Sequence, residues 1–193
     1  TFTYDGTEKT VEGYEVTGLV EGHVLSGVSA SRTEKNVGEY LVEVTGTAII
    51  MDGSEDVTRN YIVKRLSGQL TIEPAQIPVT IKPNTQIFTY DGTEKTVEGY
   101  TVTGLLEGHV LSGVSAGRTE KNVGTYLIDV VGEPKVTDGG VDVTENYTFT
   151  RAQGKLLIEE ATVVVRGKSG TFPYDGTEKT VEGYEVTGLV EGH

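Results

Sequence analysis

The sequence contains neither cysteine nor tryptophan in its 193 residues. Without cysteine it can form no disulfide bond, hold no cysteine-ligated zinc ion and offer no thiol nucleophile. It also has no apolar run near the roughly 20 residues that a membrane-spanning helix requires. We therefore expect neither membrane insertion nor a covalent cross-link through sulfur.

Basic residues are scarce as well. The chain has 16 Lys and Arg against 29 Asp and Glu, which gives a formal net charge of −13. This balance disfavours nucleic-acid binding, because affinity for phosphate backbones comes from Lys and Arg that displace counterions. A negative, self-repelling surface instead suits a protein that stays soluble at high local density.

The sequence also lacks the motifs of an enzyme. It has no nucleophile–base pair, no phosphate-binding glycine loop and no cofactor motif. Carboxylate pairs such as Glu8 and Glu12 lie near turns and recur in each copy of a repeated segment, whereas an enzyme needs one site. We therefore expect no catalytic residues and no enzymatic activity.

The dominant feature that is present is internal repetition. The segment FTYDGTEKTVEGY begins at Phe2 and again at Phe88, 86 residues later, and a closely similar segment begins at Phe172. Other strings, such as EGHVLSGVSA and RTEKNVG, recur at the same spacing between the first two copies. Self-similarity at a fixed period is typical of tandem arrays.

The ends of the repeat follow from what precedes each copy. The segments AQIPVTIK, from Ala75, and ATVVVRGK, from Ala161, open the second and third copies, and nothing equivalent precedes the first. We predict a first repeat at residues 1–75 that lacks its opening strand and a complete second repeat at 76–161. A third, at 162–193, contains only the N-terminal part of the unit.

Short strands are readable by alternation. Tyr126, Ile128 and Val130 fall on one face of a strand, and Leu70 and Ile72 on one face of another. Asp–Gly pairs supply turns between such strands, and only the D-V-T-x-N-Y stretch suggests a single helical turn. The pattern predicts an all-β chain of tandem, small, Ig-like β-sandwich domains, with a β-grasp-like sheet as the alternative.

Short junctions join the predicted repeats. The last strand of one repeat runs into the first strand of the next through two or three residues, and Pro74 and Pro78 stiffen the first junction. We therefore expect an elongated rod in which neighbouring repeats stabilise one another.

These motifs together resemble the MBG-type tandem repeats of bacterial, Gram-positive-like cell-surface adhesins. The resemblance is carried by YDGTEKTVEGYEVTGLVEGH, NVGTYLIDV, DVTENYTF and GKLLIEEA, and it extends over the whole chain. It implies an extracellular location, anchoring of the parent protein to the cell surface or cell wall, and a role in projection or adhesion. It implies no particular ligand.

Acidic turns are the candidates for a metal site, because calcium prefers several oxygen ligands. The candidate ligands are Asp52 and Asp56 in DGSED and Asp138 and Asp142 in DGGVD. Neither stretch reproduces a known calcium-loop spacing, so hairpin turns with solvated acids are the main interpretation. We expect no other cofactor.

A second candidate is an isopeptide cross-link of the kind that some Gram-positive surface adhesins form between Lys and Asn. Lys95 and Asn146 are the recurring candidates in the complete repeat. A covalent tie would suit a mechanically loaded chain without disulfides. An asparagine before a tyrosine is equally well explained as a hydrogen-bonding residue at a turn or strand end.

The third candidate is a ligand patch at the recurring VEGY segment, formed by Glu12 and Tyr14 in one repeat and Glu98 and Tyr100 in the next. Exposed tyrosines can stack on sugar rings. Packing of these tyrosines in the core is the alternative.

Two functions follow from these observations. In the first, the repeats form a stalk or spacer that projects a distal domain. In the second, the repeats themselves bind host glycan, mucin or another surface protein, and repetition raises the avidity of a weak site.

Overall fold

The computed structural model describes residues 1–192 and consists of strands and turns. These residues contain no α-helix; two 3₁₀ turns, Thr58–Asn60 and Thr144–Asn146, occupy the D-V-T-x-N-Y stretches. Both the all-β prediction and the predicted single turn are confirmed. A β-grasp needs a helix packed on its sheet, and residues 1–192 supply none. No helix in this range is long and apolar enough to cross a membrane. His193 lies outside the described residues.

Twenty strands follow one another along residues 1–192. The first ten are β1 Phe2–Thr3, β2 Lys9–Glu12, β3 His23–Glu34, β4 Gly38–Val42, β5 Val44–Asp52, β6 Glu55–Asp56, β7 Gly68–Glu73, β8 Ile77–Pro83, β9 Thr85–Thr89 and β10 Lys95–Glu98. The remaining ten are β11 Tyr100–Thr103, β12 His109–Ser115, β13 Gly117–Glu120, β14 Gly124–Ile128, β15 Val131–Asp138, β16 Val141–Asp142, β17 Tyr147–Arg151, β18 Gly154–Glu159, β19 Val164–Gly167 and β20 Tyr184–Thr187.

The strands form two compact units, each assembled from several segments. The first unit contains Thr1–Pro78, Leu105–Val110 and Val136–Thr148. The second contains Val79–Gly104, Leu111–Lys135 and the chain from Phe149 onward. Two segments of the predicted second repeat therefore belong to the first unit. The repeat boundaries after residues 75 and 161 stay a prediction from the sequence.

In the first unit, β3 pairs antiparallel with β5, and β7 lies between β4 and β1. β4 is antiparallel to β7, whereas β1 is parallel to it, with Phe2 opposite Ile72. Leu70 and Ile72 of β7 are buried, whereas Thr71 is half-buried and Glu73 is exposed. The predicted alternation of this strand is confirmed.

In the second unit, two consecutive strands, β8 and β9, belong to different sheets. β8 pairs antiparallel with β11, and after Asn84 the chain continues as β9, which pairs parallel with β18. Strands that change sheets at a bend connect the two layers of a sandwich. The core contains Val97, Ala116, Ile128, Leu156 and Ile158, with Phe88, Tyr90, Tyr100 and Tyr126 packed against it.

A bulge interrupts the long β3–β5 pair between Ser26 and Val28. Gly27 occupies the bulge with φ of +74°, and a Cβ there would lie 2.1 Å from the carbonyl oxygen of Thr47. Gly22 has a similar φ of +86°, but a Cβ there would meet nothing within 4 Å. Gly27 is required both by its left-handed backbone conformation and by the close approach of Thr47. Gly22 is required by its left-handed backbone conformation alone.

We predict that Gly22→Ala lowers the free energy of unfolding by about 1 kcal/mol, the usual cost of a left-handed non-glycine residue. Gly27→Ala should cost about 3 kcal/mol or more, because β3 and β5 must also separate. Urea unfolding followed by circular dichroism would measure both. Equal losses would contradict the close approach at Gly27.

Candidate functional site

The recurring Y-D-G-T-E-K segment forms a compact, hydrogen-bonded turn. Asp5 Oδ1 accepts hydrogen bonds from the Thr7 amide at 2.9 Å and the Thr7 hydroxyl at 2.6 Å. Lys9 Nζ donates to Asp5 Oδ2 at 2.5 Å, and these hydrogen bonds hold the pKa of Asp5 far below its ordinary value. The same bonds recur in the second and third copies, in which Asp91 and Asp175 take the place of Asp5.

The recurring histidine lies in a polar triad. His109 Nδ1 is hydrogen-bonded to the Tyr147 hydroxyl at 2.6 Å, and His109 Nε2 lies 3.7 Å from Asp138 Oδ2. The hydroxyl of Tyr147 also accepts a hydrogen bond from the Leu106 amide at 3.4 Å. The triad therefore ties the G-L-L-E-G-H loop to the end of β15 and the start of β17.

The first repeat contains the same triad, formed by His23, Tyr61 and Asp52, with corresponding distances of 2.6 and 3.6 Å. Its surroundings differ. The His23 and Asp52 side chains are 15% and 63% exposed, whereas those of His109 and Asp138 are 2% and 20% exposed. The triad is thus intrinsic to the repeat, and something additional covers it at His109.

The cover is the Y-D-G turn of the first repeat, which lies in the same compact unit. The ring of Tyr4 packs against that of His109 at 6.3 Å, and a Cβ on Gly6 would lie 3.1 Å from Leu106 Cδ1. Lys35 forms an ion pair with Asp138. Two motifs that recur in every repeat, Y-D-G and the histidine loop, therefore contact each other across consecutive repeats.

Burial at this contact changes the ionisation of its residues. Burial, with a smaller contribution from the charge of Asp138, raises the pKa of Tyr4 to about 12. The hydrogen bond from Lys35 lowers the pKa of Asp138 below its ordinary value of 3.8. The Tyr4 hydroxyl is buried and has no hydrogen-bond partner among residues 1–192.

The linker between the two repeats is held by the same region. Ala75 is buried, and its amide donates a hydrogen bond to Asn146 Oδ1 at 3.1 Å. Asn146 Nδ2 donates in turn to the carbonyl of Val143 at 3.2 Å. Asn146 is fully buried, whereas the equivalent Asn60 of the first repeat is exposed.

The second unit contains the equivalent of the Gly6 contact. A Cβ on Gly92 would lie 2.9 Å from Val190 Cγ1, and Val190 occupies the place of Leu106 in the third copy of the loop. The Y-D-G turn of each of the first two repeats therefore packs on the loop of the repeat that follows it.

The calcium candidates lie in hairpins, as their sequence suggested. Asp56 and Asp142 each accept a hydrogen bond from the amide of a threonine two residues on, at 2.9 and 3.0 Å. Asp52 pairs with His23 and Asp138 with Lys35 and His109. Among residues 1–192, no three histidine or acidic side chains form a group that could hold a metal ion. Calcium binding stays a prediction.

The two isopeptide candidates have different partners. Lys95 Nζ donates to Asp91 Oδ2 at 2.5 Å and lies 5.7 Å from the centre of the Phe88 ring. Asn146 binds the backbone at Ala75 and Val143. A cross-link between Lys95 and Asn146 stays a prediction.

The proposed ligand patch differs between the two repeats. Tyr14 is 41% exposed, whereas Tyr100 packs against the core of the second unit. Glu12 and Glu98 are exposed at the ends of β2 and β10. In the complete repeat Tyr100 is half-buried beside the core, and a ligand patch at these residues stays a prediction.

Sequence reasoning did not single out Tyr4, Lys35 and His109 as one contact. The available signal was that Y-D-G and G-H recur in every repeat, and in an array each repeat contacts its neighbours.

No family model matches the chain, and no curated protein is similar to it. One solved structure is similar, that of the fibronectin(III)-like modules of Clostridium thermocellum CbhA. It has 13% sequence identity and a TM-score of 0.24, and the match covers 82% of this chain and 88% of that one. Similarity at this level carries no argument about function.

We predict that Tyr4→Phe is neutral or raises the free energy of unfolding by about 1 kcal/mol, because it removes a buried hydroxyl without a protein partner. Tyr147→Phe, which breaks the hydrogen bond to His109, should instead cost about 1–2 kcal/mol. Tyr4→Ala should cost about 3–5 kcal/mol through loss of packing. Chemical denaturation would measure all three, and an equal loss in the two phenylalanine variants would contradict the assignment.

We also predict an acid-sensitive contact at Asp138. Because its folded pKa is lowered, its ionised form contributes stability in full above the unfolded value near 3.8, and this contribution is lost as pH falls through the folded pKa. Asp138→Asn should therefore lose stability at pH 7 and show a shallower decline below about pH 4. Asp52→Asn is the matched control, and an equal effect there would contradict the role of Lys35.

Proposed function

We propose that this chain is part of the stalk of an extracellular surface protein, in which tandem repeats act as a spacer that projects a distal domain. The observation that carries the proposal is the contact of the Y-D-G turn with the histidine loop of the next repeat. Tyr4, Gly6 and Lys35 supply one side, and Leu106 and His109 lie on the other.

A spacer needs stiffness more than it needs a unique site. Arrays of this kind gain stability from nearest-neighbour contacts, and a docked junction has less freedom than a free linker. Here the linker residue Ala75 is itself hydrogen-bonded to Asn146. The residues that recur in each repeat are thus used to join repeats, which supports a structural function over a catalytic one.

The extracellular location is part of the proposal. It is supported by the resemblance to MBG-type adhesin repeats and by the net charge of −13. A strongly acidic surface keeps densely packed stalks apart. Anchoring to the cell surface or cell wall would belong to other parts of the parent protein.

The alternative is that the repeats themselves bind host glycan or mucin. It would need an exposed aromatic patch in every repeat. Tyr14 is exposed, but Tyr100 of the complete repeat packs against its core. This difference favours the spacer.

We predict that the maximum dimension of chains with two, four and six repeats increases in proportion to repeat number, as measured by small-angle X-ray scattering. Replacing Leu106 and its equivalents with Asp should give a smaller average dimension and a broader distribution, because the docked junction is lost. Replacing Val110 and its equivalents with Asp is the matched control, since Val110 is exposed. Flexible-chain scaling in the parent arrays would contradict a stiff spacer.

Binding of the same arrays to immobilised mucin and a glycan panel distinguishes the alternative. A spacer shows no specific binding. Specific binding that grows with repeat number and is lost in a Glu12→Ala, Tyr14→Ala variant would instead make the repeat an adhesive module.

A further inference from the structure

The segments by which the chain enters and leaves the complete repeat lie side by side. The chain enters through β8 and β9 and leaves through β17 and β18. β8 is hydrogen-bonded to β17 in one sheet, and β9 is hydrogen-bonded to β18 in another. A pull along an array of repeats therefore acts on the entry segment at one end and on the exit segment at the other.

The strands β9 and β18 form a parallel ladder of five residue pairs, which extends from Thr85 opposite Lys155 to Thr89 opposite Glu159. At one end of the ladder the Lys155 amide donates a hydrogen bond to Thr85 Oγ1 at 3.1 Å. At the other end the Tyr90 amide donates to the Glu159 carbonyl at 2.8 Å. The chain thus enters β9 at one end of this ladder and leaves β18 at the opposite end.

The strands β8 and β17 run in the same direction as each other as well. The Thr148 hydroxyl donates a hydrogen bond to the Ile77 carbonyl at 3.5 Å. Four residues further along both segments, the Ala152 amide donates to the Ile81 carbonyl at 2.9 Å. Entry and exit segments are therefore parallel in both sheets.

Parallel strands with this connection are loaded in shear. A pull on the array draws β9 toward its start and β18 toward its end, so the two strands are forced to slide along each other. The hydrogen bonds of the ladder then share the load, whereas a pull that separates the strands from one end breaks them one after another. Forced unfolding is governed by the rate of this rupture and not by the equilibrium stability.

Packing also opposes sliding of these strands. Leu156 and Ile158 of β18 and Ile81 of β8 are fully buried. A shift of one residue would turn the buried side chains of a strand to its opposite face. Where β18 begins, a Cβ on Gly154 would lie 2.5 Å from the carbonyl oxygen of Asn84, so the two segments are in close contact at this point.

We propose that the paired entry and exit segments, β8 with β17 and β9 with β18, are a mechanical clamp that bears tension along the array. The proposal rests on the spacer function, because a stalk that projects a distal domain transmits any pull on that domain. The clamp is nevertheless contained in one repeat, so a force measurement on this chain tests it separately from the stiffness of the array.

Magnetic tweezers test the dependence of unfolding on the direction of pull. The chain has no cysteine, so two introduced cysteines define the attachment points. One variant carries Lys82→Cys and Glu160→Cys, which pull β9 and β18 from opposite ends. The other carries Lys82→Cys and Lys155→Cys, which pull both strands from the same end. All three positions are exposed.

We expect the repeat to survive at least about tenfold longer at the same force when it is pulled from opposite ends, because several hydrogen bonds must then break together. A lifetime that does not depend on the direction of pull would overturn the proposal. Circular dichroism of both variants establishes that they are folded before attachment.

Two matched substitutions test the ladder itself. Thr85→Val removes the hydroxyl that accepts a hydrogen bond from the Lys155 amide. Thr96→Val removes a hydroxyl that is hydrogen-bonded to the Thr119 hydroxyl at 2.7 Å, between β10 and β13 and outside the loaded strands. Under the pull from opposite ends, Thr85→Val should shorten the lifetime about tenfold and Thr96→Val should leave it unchanged.

Urea unfolding of the same two variants separates a clamp from a general loss of stability. Both should lose similar amounts of equilibrium stability, because each loses one exposed side-chain hydrogen bond. Lifetimes under load that are shortened equally in the two variants would overturn the clamp. The scattering experiment on arrays of two, four and six repeats decides the spacer function, so a flexible array with a direction-dependent lifetime would contradict the spacer but not the clamp.

Discussion

The contact between a Y-D-G turn and the histidine loop of the next repeat is the interaction on which the rest of the first unit depends. The triad of His109, Tyr147 and Asp138 is polar and would be costly to bury without partners. Its internal hydrogen bond satisfies His109 and Tyr147, and Lys35 neutralises Asp138. The ring of Tyr4 can therefore pack on His109 without leaving the polar groups of the triad unpaired.

This arrangement explains why polar residues recur at the contact between consecutive repeats. An apolar face at every junction would have to remain exposed wherever a repeat lacked a neighbour, which favours aggregation. The triad of His23, Tyr61 and Asp52 shows the uncovered state, in which Asp52 is largely exposed and solvated. A polar face can be solvated when no repeat packs on it and can be buried when the neighbouring repeat does. Such a face suits a chain of near-identical domains.

Within the complete repeat, the strand β8 joins separate segments of the chain, as the Y-D-G contact does between repeats. It closes the sheet between β11 and β17 and fills the core with Val79 and Ile81. In the first repeat the equivalent segments, residues 14–17 and 61–65, do not form strands.

The sequence by itself determined the all-β class, the individual strands, the turns and the period of the array. Alternation and Asp–Gly turns act over a few residues, so the burial of Leu70 and Ile72 could be predicted without any tertiary contact. Only the tertiary structure decided that Tyr4 packs on His109 and that Tyr100 packs against the core of the second unit. Both outcomes depend on contacts between segments that are far apart in the sequence, and a pattern of local spacing carries no information about such contacts.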